Sequence, residues 1–126
     1  VTKSKTRNVK YHELIAEGYL KAFFGIFTDV LKLGRNKPSV PKNVELRMFA
    51  AAEFSQRFRD CALPVYDQNM LLKRFTAIEQ KQFHNAQKLW AYLDRKDYWR
   101  LPNKQRKAVA RKWFDLFEED VRRAFY

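Results

Sequence analysis

Apolar residues return every three or four positions along most of this chain, and no run of strand length alternates apolar with polar residues. Side chains three and four apart share one face of a helix, whereas a strand repeats every second residue, so the pattern favours helices over a sheet. Only three glycines and four prolines punctuate its 126 residues, and no Gly/Ser linker, internal repeat or low-complexity tract divides them. With 46% apolar and 16% aromatic residues the chain can bury a substantial core. The expected fold class is all-α, a compact bundle of about five helices in a single domain.

The first helix is expected from about Tyr11 to Leu33. Tyr11, Ile15, Tyr19, Ala22, Ile26, Val30 and Leu33 form its stripe, and Gly34 is placed to end it. Around Phe23, Phe24, Ile26 and Phe27 it is apolar nearly all round, which marks it as the central helix. A second helix is expected from Pro41 to Ala62, with Val44, Met48, Ala51, Ala52, Phe58 and Ala62 on one face and Pro64 closing it. A short third helix has Asp67 as its N-cap and turns Met70, Leu71, Phe75 and Ile78 inward. Thr76 followed by Glu79 reads as a capping box that opens a fourth helix reaching about Asp94, with Phe83, Ala86, Leu89, Trp90 and Leu93 as its stripe. A fifth starts near Pro102 or Asn103 and runs to the end on Val109, Trp113, Leu116, Phe117, Val121 and Ala124.

Charge gives the direction for function. There are 26 Lys and Arg against 14 Asp and Glu, a net +12, so the chain attracts polyanions. More than half of that excess lies between Arg95 and Lys112, where eight bases face the single acid Asp97. The fifth helix opens with Lys104, Arg106 and Lys107, followed by Arg111 and Lys112, although a helix N-terminus is already partly positive and prefers acids. Free backbone N–H groups together with such bases suit a phosphate. Lys104, Lys107 and Arg111 are expected to point outward, with Arg106 and Lys112 nearer the buried edge, and acids of a neighbouring helix such as Asp94 or Asp97 are the bland alternative partners.

Just upstream, Tyr92, Arg95, Lys96, Tyr98, Trp99 and Arg100 interleave rings with bases. That composition suits stacked bases with a gripped backbone, a protein hot spot, or aromatics that simply close the core. Residues 1–10 carry Lys3, Lys5, Arg7 and Lys10 without apolar periodicity and are expected as a flexible basic arm, with residues 11–126 as the helical domain. The leading expectation is a non-catalytic protein that binds nucleic acid, DNA or RNA. Arg95, Lys96, Arg100, Lys104, Lys107 and Arg111 would be on phosphates, Tyr98 or Trp99 would stack, and Lys3, Lys5 and Arg7 would assist from the arm. The alternative is a protein-interaction module, an adaptor or inhibitor, whose basic aromatic face docks an acidic protein.

Other classes have weaker support. His12, His84 and the single Cys61 have no metal spacing, and Cys61 beside an apolar face reads as an inert core residue, so no metal, cofactor or catalytic centre is expected. Glu79-Gln80-Lys81 matches only the short end of some nuclease motifs and falls on a helix. Glu118 with Arg122 and Glu119 with Arg123 have the spacing of a solvated helix face. No helix-turn-helix falls in register between Asn43 and Phe75. No uncharged run is long enough to span a membrane, no apolar secretory leader is present, and one cysteine forms no intramolecular disulfide, which together point to a reducing compartment such as the cytoplasm. The stripes of the second and fifth helices suit a core or a twin equally, so no oligomeric state is expected in advance.

Overall fold

Five helices and one 3-10 turn follow in order: α1 Thr2–Gly34, α2 Lys42–Arg59, α3 Val65–Leu72, α4 Ala77–Lys96, the turn Tyr98–Arg100, and α5 Asn103–Phe125. This is a computed structural model that describes residues 2–34, 40–96 and 98–125, with the side chains of 2–9, 96, 124 and 125 left out. No strand occurs among the described residues, and the all-α bundle matches the periodicity. Arg35, Lys37 and Asp97 lie outside the described residues.

The helix α1 is central. It packs most extensively along α2, which in turn carries α4, and α5 closes against α4 and α1. Its buried face is Ala16, Leu20, Phe23, Phe27 and Val30; Val30 is buried as expected, while the rest of this face lies one residue further along than the stripe drawn through Ile15, Tyr19, Ala22 and Ile26. Ile15 and Leu33 stay over a third exposed. Periodicity does not choose between adjacent faces when both are apolar; contact with the neighbours does. Phe23 meets Phe83 of α4 edge-on at 5.8 Å, Phe83 meets Phe58 of α2 at 5.5 Å, and Phe27 meets Phe117 of α5 at 4.6 Å. Such edge-to-face pairs each add about 0.5–1.5 kcal/mol beyond burial itself, so this chain of rings ties four helices together.

The first turns of α1 are formed by residues 2–10, the segment expected as an arm outside the helical domain. Once the packed residues have nucleated a helix, each further residue adds one hydrogen bond, and elongation into a polar segment meets little resistance. The end of α1 shows a tighter constraint. Gly34 is buried, and a Cβ there would overlap the ring of Phe114, itself fully buried in α5. Gly34→Ala is therefore expected to lower stability by about 1–3 kcal/mol through overpacking, measured by urea unfolding, with the denaturant slope unchanged.

The connection between α2 and α3 differs from expectation. α2 ends at Arg59 and not Ala62, and α3 starts at Val65 with Pro64, held at φ −59° and ψ 153°, as its N-cap; Asp67 sits in the first turn, where its charge suits the helix dipole. Gln68 locks this corner. Its amide donates to the carbonyls of Leu63 at 3.0 Å and Arg59 at 3.2 Å, and its oxygen accepts from Arg59 Nη1 at 3.1 Å. Met70 consequently turns outward, 47% exposed, while Leu71 and Leu72 are buried. The capping box at α4 forms as the sequence implies, Thr76 N–H donating to Glu79 Oε1 at 3.0 Å and Glu79 N–H to Thr76 Oγ1 at 3.2 Å. The α4 stripe is also as read: Phe83, Ala86 and Leu89 are buried, and Trp90 and Leu93 pack against them.

Candidate anion-binding face

Phe117 of α5 is buried as expected, but Ala110 and Phe114 replace Val109 and Trp113 on the buried face, one residue beyond the expected stripe, and Leu116 is 37% exposed. That rotation decides the fate of the basic cluster. Arg106 is carried inward to about a fifth exposure, where its Nη2 donates to Glu45 Oε1 of α2 at 3.1 Å. Its guanidinium lies over Trp99 at 5.0 Å and Tyr98 at 5.6 Å from the ring centres. Glu45 supplies the acid for Arg106, and Asp94 does not; Asp97 lies outside the described residues.

Tyr98 is fully buried, which removes it from the stacking role expected of it. Its ring packs edge-on against Phe49 at 4.7 Å, and its hydroxyl lies 2.6 Å from Glu45 Oε1 and 2.9 Å from the Arg106 carbonyl oxygen. One hydroxyl has one proton, and the charged, closer carboxylate is the stronger acceptor. Burial, reinforced by the Glu45 carboxylate, holds this phenol protonated well above the ordinary tyrosine range, and the bond to Glu45 raises the Arg106 guanidinium. Both groups keep fixed charge states at neutral pH, so the trio is a rigid strut between α2, the 3-10 turn and α5.

This strut brings two helix beginnings side by side. The first intrahelical bonds run from Glu45 N–H to Pro41 O at 3.0 Å and from Arg106 N–H to Pro102 O at 2.9 Å. The N–H groups of residues 42–44 and 103–105 therefore precede any partner within their helices, and no side chain caps α2. Between the two ends lies a hollow of about 390 Å³ lined by Pro41, Lys42, Glu45, Asn103, Arg106 and Lys107. Glu45 is occupied by Arg106 and Tyr98. Lys42 and Lys107 are exposed and form no ion pair among the described residues. Two helix-dipole ends and two unengaged ammonium groups facing one cavity make a strongly positive site in which an anion accepts from backbone and side chain together.

The remaining bases expected at the site divide. Lys104 is exposed in the first turn of α5, and Arg100 is exposed on the 3-10 turn. Arg95 is exposed at the end of α4, its Nε turned back to the Ala91 carbonyl at 3.4 Å. Arg111 is not a free outward cation: its Nε pairs with Asp115 at 3.0 Å and its guanidinium covers the Phe114 ring. Lys3, Lys5 and Arg7 belong to the first turns of α1, and their side chains and that of Lys96 lie outside the described residues. Trp99 is half exposed, but it lines a different hollow, beside Glu53 and Asp94.

Sequence reasoning missed Lys42 as a site residue. The available signal was a shared start, Pro41-Lys42 and Pro102-Asn103-Lys104, each a proline followed by a base at the opening of a helix.

The residues weighed for catalysis have structural partners. Glu79 caps α4 and Lys81 pairs with Asp120 at 3.0 Å; Glu118 and Glu119 pair with Arg122 and Arg123. Cys61 packs beside the core next to Gln68. Among the described residues no group of three or more His, Cys, Asp or Glu is placed to hold a metal, and no helix is long and apolar enough to cross a membrane. Comparison with protein-family models, with curated proteins and with solved structures finds no match for this chain.

Proposed function

We propose that this chain binds nucleic acid by its phosphates, without catalysis, at the end of the bundle where α2 and α5 begin. The observation that carries the reading is the hollow itself: two helix N-termini converge there with Lys42 and Lys107 unengaged. Lys104, Arg100 and Arg95 extend the positive surface along the outside of the 3-10 turn and the adjoining helix ends. Lys3, Lys5 and Arg7 supply further positive charge from the start of α1. Stacking is not part of the proposal, because Tyr98 is buried and the open side of Trp99 lies beside carboxylates that repel phosphate.

Contacts of this kind position a backbone and carry no base sequence. Lys42→Ala and Lys107→Ala are each expected to weaken binding to different DNA and RNA sequences alike and to reduce the salt slope by about one. Arg111→Ala, at a residue that does not line the hollow and whose guanidinium turns to Asp115 and the Phe114 ring, is expected to leave the slope within about half a unit of wild type. Fluorescence anisotropy across a salt series checks all three. Wild-type slopes in both lysine variants would overturn the assignment of the hollow.

A further inference from the structure

A second hollow, of about 490 Å³, lies between α2, α4 and the 3-10 turn, and its charged lining is opposite in sign to the net charge of the chain. Leu46, Phe49, Trp90, Leu93 and Trp99 give it apolar walls, while Glu53 and Asp94 are its charged groups. No base lines it, although bases outnumber acids 26 to 14 in the chain. Asp94 has no ion pair among the described residues, and Glu53 is held only by an exposed partner one turn away, Arg57 at 3.0 Å.

The geometry points to a docking groove for a basic amphipathic helix presented by a protein partner, its apolar ridge between Leu46 and Trp99 and its lysines or arginines against Glu53 and Asp94. Charge complementarity selects the sign of the occupant, since two carboxylates beside aromatic faces favour a cation with an apolar body. Shape selects a helix. The lining residues of α2 fall at positions 46, 49, 50 and 53, about two turns or roughly 10 Å at 1.5 Å per residue, and those of α4 at 90, 93 and 94, about one turn, so a helical ridge walls the groove on each side. Leu46 and Trp99 remain 48% and 51% exposed, so one side of the groove is open, as a segment attached to a larger body requires. This site is separate from the phosphate hollow and does not depend on the reading given to it.

Two synthetic 14-residue helical peptides test the proposal, identical in a leucine ridge and differing only in whether the flanking charges are Lys or Glu. The field of a +12 protein favours the Glu peptide, so a preference for Lys must come from a local site. The wild type is expected to bind the Lys peptide at least tenfold tighter than the Glu peptide by fluorescence anisotropy. In E53Q/D94N that preference is expected to fall below threefold, with duplex DNA binding no weaker than wild type. Leu46→Ser, at an already exposed position, is expected to weaken the Lys peptide about tenfold. Equal or reversed peptide preference in the wild type, a preference retained in E53Q/D94N, or displacement of the peptide by millimolar tetraethylammonium, which would show a site for free small cations, would each overturn the docking groove.

Discussion

Glu45→Ala is expected to lower unfolding stability by about 3 kcal/mol, within the range for breaking one side of a buried ion pair, and to lower the melting temperature by roughly 10 °C. Glu45 is only 8% exposed in its side chain and serves two groups at once, the Arg106 guanidinium and the Tyr98 hydroxyl. Removing it strands a positive charge among aromatic rings, where Arg106 Nε is already buried without a hydrogen-bond partner. Cation–π contact with Trp99 and Tyr98 recovers only part of that loss. The double variant Glu45→Gln with Arg106→Met is expected to lose less than Glu45→Ala alone, because no unpaired charge stays behind. Thermal and urea unfolding of the single and double variants measure this coupling. A loss in the double variant as large as in Glu45→Ala, or larger, would show that a stranded Arg106 charge is not the source of the effect.

Since this strut sets the two helix beginnings side by side, the Glu45→Ala variant also tests how the anion hollow is built. It removes the lining's only acid, so a simple charge count predicts tighter binding, whereas loss of alignment predicts weaker binding. Preorganisation of the two helix ends is the larger contribution in the reading given above, and weaker duplex binding is expected below the melting transition.

Much of the fold is legible in the sequence because its signals are local. The Thr76–Glu79 capping box and the Phe83–Ala86–Leu89 stripe require only residues three or four apart, and both are found in place. The rotations of α1 and α5 were not legible, because Ile15 beside Ala16 and Trp113 beside Phe114 offer apolar faces of nearly equal quality. Contact with other helices chooses between them. The basic cluster was legible as composition, and so was the inward place of Arg106; the exposure of Lys112, expected beside it, and the pairing of Arg111 with Asp115 were not. Arg106 finds its acid 61 positions away, which has no local signature, and Lys42 reaches the site from another helix, which its Pro41-Lys42 start does not by itself reveal. Tyr98 and Trp99, adjacent in sequence, end in opposite surroundings for the same reason: a single 3-10 turn directs one ring into the core and leaves the other half exposed.

The largest expected effect on binding is its dependence on salt. On the proposed reading Lys42, Lys107, Lys104, Arg100 and Arg95 would give about five phosphate contacts, and with a slope near 0.9 per contact on duplex DNA, affinity is expected to fall roughly 500-fold between 50 and 200 mM salt. Such a slope reports released counterions and hence a polyanionic ligand; a protein partner held by an apolar anchor loses far less over the same range. Fluorescence anisotropy of the wild-type chain with labelled duplex DNA, single-stranded DNA and a hairpin RNA, each titrated at both salt concentrations, is the most direct test. A fall of several hundredfold for at least one of these ligands, shallower in Lys42→Ala and Lys107→Ala, is the predicted result; no binding to any of them at 50 mM salt would contradict nucleic acid as the partner.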